Sequence, residues 1–285
     1  MTFHKSSAEI AVFSSLTLEE ALCRSTDLCI AAHQDDIEIM AYGAIAACYD
    51  DPARNFCGVV VSDGAGSPRS GIYSRCSDEE MARVRIEEQK NAARIGNYSA
   101  QVFLGFESSE IKNPENADVA DDIYKVLLSC RADTVYTHNL ADKHDTHVAV
   151  ALRTIEALRR LPEKLRPAKI YSMEVWRGLD WLCDNDKSVF DTSGHPNIAV
   201  AVLGVFDSQI TGGKRYDAAA IGRRLANATF FESHCVDTSN SLSFGLDITE
   251  LVYDKPLSPS EFIHTYISNF ENEVVNRIAR VSKSE

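Results

Sequence analysis

His33, Asp35 and Asp36 fall within four residues of one another, and His144 and His147 stand three apart. Histidines and carboxylates are the side chains that hold a catalytic divalent metal, usually three of them, with one position left open for water. The first cluster would supply two thirds of such a site, and the second pair could complete it. Each fragment has a plainer explanation by itself. An aspartate at the end of a strand often caps the helix that follows, and a lone His-x-x-His is more often a surface accident than a ligand pair. Together, each at the end of an apolar run, the two fragments point to a metal centre.

The elements around them must bring the two fragments to one place. Cys29-Ile30-Ala31-Ala32 closes an apolar run that begins near Asp27, which fits a buried parallel strand. Phe56 to Ser62, Gln101 to Leu104, Asp133 to Thr137 and Lys169 to Val175 read as further strands. Helical stretches lie between them: Ile37 to Tyr49, a long helix capped by Ser77 or Asp78 and stopped at Gly96, Asn116 to Cys130, and Val148 to Leu161. Strands alternating with helices predict an α/β, Rossmann-like doubly wound, mostly parallel sheet with helices on both faces. Ligands bind at the carboxyl edge of such sheets, and both fragments would lie there. If Val148 onward is helical, a spacing of three puts His144 and His147 on one side of its start.

The second half alternates less cleanly. Residues 1–26 are a weakly patterned lead-in with a short helix at Leu16 to Cys23, Ala199 to Phe206 is apolar, Tyr216 to Ala226 is helical, Leu246 to Val252 is extended, and Pro259 to Val281 is a terminal helix with an apolar stripe. No repeat or linker breaks the chain. The expectation is one domain over 1–285, with a core at about 27–210 and an elaborated C-terminal part at about 211–285.

Bulk properties narrow the function classes. At 285 residues and 45% hydrophobic the chain can bury a sizeable core, and a net charge of -13 argues against nucleic acid or an anionic membrane as partner. The start Met1-Thr2-Phe3-His4-Lys5 has no signal-peptide pattern, and the run Asn197 to Phe206 is too short to span a bilayer. The eight cysteines are scattered with no C-x-x-C pair, which suits free thiols in a reducing compartment. A cytoplasmic enzyme is expected, with homo-oligomerisation left open.

At these residues the sequence resembles a known family. Ala32-His33-Gln34-Asp35-Asp36 is similar to the A-H-P-D-D motif of LmbE/PIG-L-type deacetylases, zinc-dependent hydrolases that remove the acetyl group from N-acetylglucosamine-containing substrates. His144-Asp145-Thr146-His147 resembles the family's H-P-D-H, Arg85-Ile86-Glu87-Glu88 its R-x-x-E helix, and Asp207-Ser208-Gln209 its Ser-Gln element. The resemblance covers about residues 27–210. It implies that His33, Asp36 and His147 bind Zn2+, with another divalent metal such as Fe2+ also suited to these ligands. It implies that Asp35 is the general base and that His144 stabilises the oxyanion or protonates the leaving amine. The implied reaction is hydrolysis of the acetamide of an N-acetylglucosamine-containing small molecule. A non-catalytic carbohydrate- or metabolite-binding protein on the same scaffold is the alternative.

Other residues are weighed against this frame. The loop Gly64 to Gly71 holds an incomplete G-x-G interrupted by Pro68, a poor dinucleotide signal. It reads better as a mobile substrate loop, with Arg69 or Arg75 touching substrate. His138 ends a strand and is a third candidate for substrate contact. Arg85 and Glu88 read equally well as a surface ion pair or as support for the site. Trp176 and Trp181 read as core, and His234 as a satisfied core histidine. Two positions depart from the family pattern. Gln34 replaces a proline, which should loosen the turn, and Thr146 replaces an aspartate before the last histidine, so any tuning by that aspartate must be absent or come from elsewhere.

Overall fold

The computed structural model describes residues 1–282. One eight-stranded sheet runs through it. In chain order the strands are β1 (Glu9–Val12), β2 (Asp27–Ala31), β3 (Phe56–Ser62), β4 (Ala100–Phe106), β5 (Thr134–His138), β6 (Lys169–Met173), β7 (Ser188–Asp191) and β8 (Leu242–Asp247). They lie side by side as β1-β4-β3-β2-β5-β6-β8-β7. The five central strands β4, β3, β2, β5 and β6 are parallel, while β1 pairs antiparallel with β4, and β8 antiparallel with both β6 and β7. The mostly parallel, doubly wound sheet expected from the alternation is what the chain forms.

The continuous apolar runs follow from helices on both faces. Along β2, Leu28 and Ile30 pack with Ala32 into one core, and Cys29 and Ala31 pack into the other. The first core lies against α6 (Asp118–Cys130) and α7 (Asp145–Arg160), the second against α3 (Tyr42–Asp50) and α8 (Pro196–Gly204). From β2 the chain moves one way to β3 and β4. It returns to place β5 on the other side of β2. The loops after β2 and β5 therefore diverge and leave a crevice between them at the carboxyl edge, the topological switch point of the sheet.

Several expectations are revised. The lead-in contains β1, whose register runs from Glu9 against Phe103 to Val12 against Ala100. Ile37 to Tyr49 is two helices, α2 (Asp36–Met40) and α3, broken at Ala41. Leu246 to Val252 is not one extended stretch. β8 ends at Asp247, and α11 (Thr249–Tyr253) turns away. β7 and β8 join the main sheet, so the C-terminal part extends it. The apolar run at 199–206 is mostly α8. The terminal helix α12 (Pro259–Val281) begins at the expected residue, with Ser258 and Glu261 forming a capping box. Only Phe262 of its stripe is buried. Among the described residues, no helix is long and apolar enough to cross a membrane.

Candidate metal centre

The turn after β2 is held from several directions. Asp35 sits at φ 87°, a left-handed conformation that costs an L-residue about 1 kcal/mol or more. Its backbone N–H donates to Gln89 Oε1 at 3.1 Å, and its Oδ2 accepts from Arg85 Nη2 at 2.9 Å. The same Arg85 Nη2 also reaches the Gln34 carbonyl oxygen, and Nη1 reaches the Ser67 hydroxyl. Arg85 and Gln89 lie one turn apart on α4 (Asp78–Ile95), so one helix fixes both the backbone and the carboxylate of Asp35. Gln34 does not loosen the turn: it is fully buried and its carbonyl is anchored. Gly64, at φ 73°, backs it closely, and a Cβ there would lie 2.3 Å from Gln34 Oε1.

The second fragment sits at the end of β5. α7 begins at Asp145, three residues earlier than expected, so His144 is its N-cap and His147 lies in its first turn. Asp142 organises this end. Its Oδ1 accepts the His144 backbone N–H at 3.0 Å, and its Oδ2 accepts the Trp176 backbone N–H at 3.1 Å. The same Oδ2 lies 3.4 Å from His147 Nδ1, close enough for an ion pair but poorly aligned for a hydrogen bond. Asp142 thus stands behind a histidine that lacks an aspartate directly before it in sequence.

The two fragments meet. His33 Nδ1 is 3.2 Å from Asp36 Oδ2 and 3.2 Å from His147 Nε2, and Asp36 Oδ2 is 3.3 Å from His147 Nε2. Metal–ligand bonds of about 2.0–2.1 Å in tetrahedral geometry separate ligand atoms by about 3.3 Å. This nearly equilateral triangle therefore fits a small divalent ion. Such donors repel one another unless a cation sits among them. A proton on His147 is one such cation. Burial opposes charge there, yet Asp36 and Asp142 hold that imidazole up at about 9. Metal binding and protonation therefore compete. Burial would raise Asp36, but His147 and His138 keep its carboxyl well below the usual range. Burial pushes Asp35 up, with the Arg85 guanidinium opposing.

Two other groupings are geometrically close: His33 with His144 and His147, and Asp36 with His138 and His147. The second is the weaker donor set. His138 Nε2 accepts the Ala32 N–H at 2.8 Å, so its lone pair is already engaged. In the first, His144 stacks on His147 with ring centroids 4.6 Å apart and stands on the open side.

A cavity of about 450 Å³ opens over this centre. His33, Asp35, Asp36 and His144 line it, while His147 closes it from beneath, fully buried. The three expected substrate contacts do not line it. Arg69 bonds the Ala65 carbonyl and Asp78, Arg75 is exposed, and His138 is buried against Asp36 and the His147 ring. Arg85 lines the cavity instead, with Lys112, Trp176, Gln209, Lys214 and Tyr216. Arg85 and Glu88 are not a surface pair. Both are buried, and Glu88 accepts the Ser208 N–H and hydroxyl at 2.6 Å each, which seats Gln209 at the cavity wall. Trp181 and Trp176 both pack on a core as expected, Trp176 also faces the site, and His234 is exposed in a loop. Trp176 carried a signal, since it follows β6 at the same carboxyl edge. Asp142 carried one too, in the polar run between His138 and His144.

Comparison with known proteins adds chemistry to this geometry. Residues 28–158 match the PIG-L family, described as GlcNAc-PI de-N-acetylase. The uncharacterized deacetylase YaiS of Escherichia coli is 30% identical over 158 residues, which is 54% of this chain and 79% of that protein. N,N'-diacetylchitobiose deacetylase from Pyrococcus horikoshii superposes with a TM-score of 0.63 at 17% identity, over 80% of this chain and 85% of that one. GalB, the 4-carboxy-2-hydroxymuconate hydratase of Pseudomonas putida, superposes with a TM-score of 0.61 at 17% identity, over 79% and 96%. At those identities the two structures share the fold with this chain. That fold houses a deacetylase and a hydratase alike.

Proposed function

The chain belongs to the PIG-L family of amide-hydrolysing deacetylases, and on that premise we propose that it removes acetate from an N-acetylglucosamine-type amine with a divalent metal, zinc by preference, held by His33, Asp36 and His147. The observation that carries this reading is the triangle of three donor atoms, 3.2–3.3 Å on a side, at the floor of an open cavity. When bound, such a metal acidifies a water molecule and polarises the acetamide carbonyl.

The chain's own groups do the rest. Asp35 takes the proton of the attacking water. Its Oδ2 is tied to Arg85, which leaves Oδ1 for that work. Arg85 also favours the charged carboxylate that a base must be. Water adds to the carbonyl carbon, the C–N bond breaks, and the proton held by Asp35 goes to the departing nitrogen, giving acetate and a free amine. His144, on the cavity wall beside His33, is placed to donate a hydrogen bond to the carbonyl oxygen as its charge develops. Asp142 fixes the backbone of His144 and backs the ring of His147, and partners of this kind orient metal ligands. The strained backbone at Asp35 supports catalysis over mere binding, since a carboxylate that neither binds metal nor reacts gives no reason to hold that conformation.

The experiment is metal analysis of the purified protein with acetate release from a panel of N-acetylglucosaminides. The expected result is about one equivalent of metal, with acetate release that stops on chelation and returns with added zinc. Undiminished release from Asp35→Asn or His33→Ala protein would overturn the mechanism.

A further inference from the structure

Asp35 owes its left-handed backbone to a partner that is itself held. Its N–H donates to Gln89 Oε1 at 3.1 Å, and Gln89 Nε2 donates in turn to Glu38 Oε1 at 2.8 Å. The same Glu38 oxygen accepts the Tyr98 hydroxyl at 2.7 Å. A chain of hydrogen bonds thus runs from the loop before β4, through Glu38 and Gln89, to the turn after β2. No member of it is more than 4% exposed. A primary amide donates at one end and accepts at the other. The Asp35 N–H can only donate, so it needs the oxygen end of Gln89; turned over, the amide would set N–H against N–H. A charged carboxylate can only accept, so Glu38 holds the nitrogen end and fixes which way the amide faces.

The backbone of Glu38 is fixed as well. Arg224 Nη2, from α10 (Tyr216–Phe230), donates to the Glu38 carbonyl and, at 3.1 Å, to the Ile39 carbonyl. As a stabilising device the Glu38 side chain is poor. A buried carboxylate is costly, both of its donors are neutral, and its Oε2 has no hydrogen-bond partner. An apolar side chain would fill the place at less cost. No apolar side chain could set the direction of the Gln89 amide.

We propose that Glu38 is a positioning residue for the base: through the Gln89 amide it holds the Asp35 backbone in the left-handed conformation that keeps the Asp35 carboxylate on the cavity wall. The role of Asp35 as a base rests on the deacetylase reading; the hold on its backbone does not. Glu38 itself does not line the cavity, so its loss should act on kcat and leave KM alone. Misplacing a reacting group by about 1 Å can cost about 10²-fold in rate, and a turn loosened at one of its anchors should lose part of that.

The test uses the zinc-loaded full chain at pH 8, above the value of about 7 to which burial pushes the Glu38 carboxyl. Two readouts are taken: acetate release from methyl N-acetylglucosaminide, and hydrogen exchange at the Asp35 amide followed by NMR. Glu38→Met should lower kcat about tenfold with KM and bound metal unchanged. It should speed exchange at Asp35 about tenfold while the amides of β2 keep their protection. Glu38→Gln, whose side-chain carbonyl can take the same two bonds, should restore most of both, and Tyr98→Phe should lose less than Glu38→Met. In Gln89→Leu protein, Glu38→Met should cost no further kcat, because Glu38 acts through that amide. Unchanged kcat and Asp35 protection in Glu38→Met, a kcat loss that adds in full to that of Gln89→Leu, or exchange that speeds equally through β2 would each overturn the proposal. If the unsubstituted protein released no acetate from any glucosaminide, the deacetylase reading would fail, and exchange at Asp35 would still decide the positioning.

Discussion

Strand β2 has a buried aspartate at each end, and the two are treated oppositely. Asp27 opens the strand and Asp36 follows its close; each is 2% exposed. Asp27 is saturated with donors: Arg54 through Nη2 at 2.7 Å and Nε at 3.2 Å, the Thr26 hydroxyl at 2.8 Å, and the Tyr136 hydroxyl at 3.2 Å. The Cys48 thiol adds a weak bond at 3.4 Å. Asp36 takes the His33 N–H at 2.8 Å and otherwise faces three imidazole nitrogens at 3.2, 3.3 and 3.5 Å. Around it the Nδ1 atoms of His138, His144 and His147 are buried without a hydrogen-bond partner. A buried carboxylate with a full set of donors is a structural device. A buried carboxylate among competing acceptors and unpaired nitrogens is a site that a cation completes.

The contrast predicts opposite phenotypes. The largest effect falls on the triangle. Asp36→Ala or His147→Ala should lose bound metal and cut acetate release by about a thousandfold or more. Either change also strands the other member of the buried Asp36–His147 pair, so unfolding should show lost stability beside the lost metal. A destabilised protein that kept its metal and rate would break the contrast. Next comes Asp35→Asn, which should lower kcat by about 10²–10⁴-fold with metal content unchanged. Metal analysis beside kinetics separates it from the ligand variants. Asp142→Asn should weaken metal affinity by about 10–100-fold, read by competition with a chelating dye, with saturating metal restoring much of the rate. The smallest functional effect belongs to the far end of the strand. Asp27→Asn should leave acetate release at 25 °C unchanged and cost about 2 kcal/mol of stability, a fall of about 4–8 °C in Tm. If Asp27→Asn reduced activity at full fold, the two ends would not be independent.

Proton competition gives a further pH signature. The His147 imidazole stands at about 9 without metal, above its ordinary value, so its charged form stabilises the metal-free fold below pH 6.5 and that contribution is lost as pH rises through about 9. Metal affinity should therefore climb with pH over that window. A pH-independent affinity between 6.5 and 9 would argue against His147 as a ligand.

Much of this site was legible in the chain because its ingredients are local. A strand ending in His33-Gln34-Asp35-Asp36 and a strand followed by His144 and His147 are patterns within a few residues, and βα alternation places both at one edge of the sheet. Expectation and structure part where meaning depends on long-range partners. Arg69 and Arg75 sit in a polar loop that looks suited to substrate, yet Arg69 is spent on Ala65 and Asp78. His138 ends its strand as His33 follows its own, but it packs against the His147 ring and takes the Ala32 N–H. Residue type could not distinguish Asp27 from Asp36, because the difference lies in donors from three distant positions, Cys48, Arg54 and Tyr136.

By itself, then, the sequence determined the alternating fold, the edge at which chemistry gathers, and the residue types of the candidate metal set. Periodicity and turn composition are properties of neighbours along the chain. Only the tertiary structure decided which carboxylate is satisfied and which is exposed to competing ligands, and that Arg85 and Gln89 pin Asp35 in a strained turn. Each of these is a matter of distance between atoms far apart in sequence, and burial gives those distances their energy by removing the water that would otherwise screen or replace them.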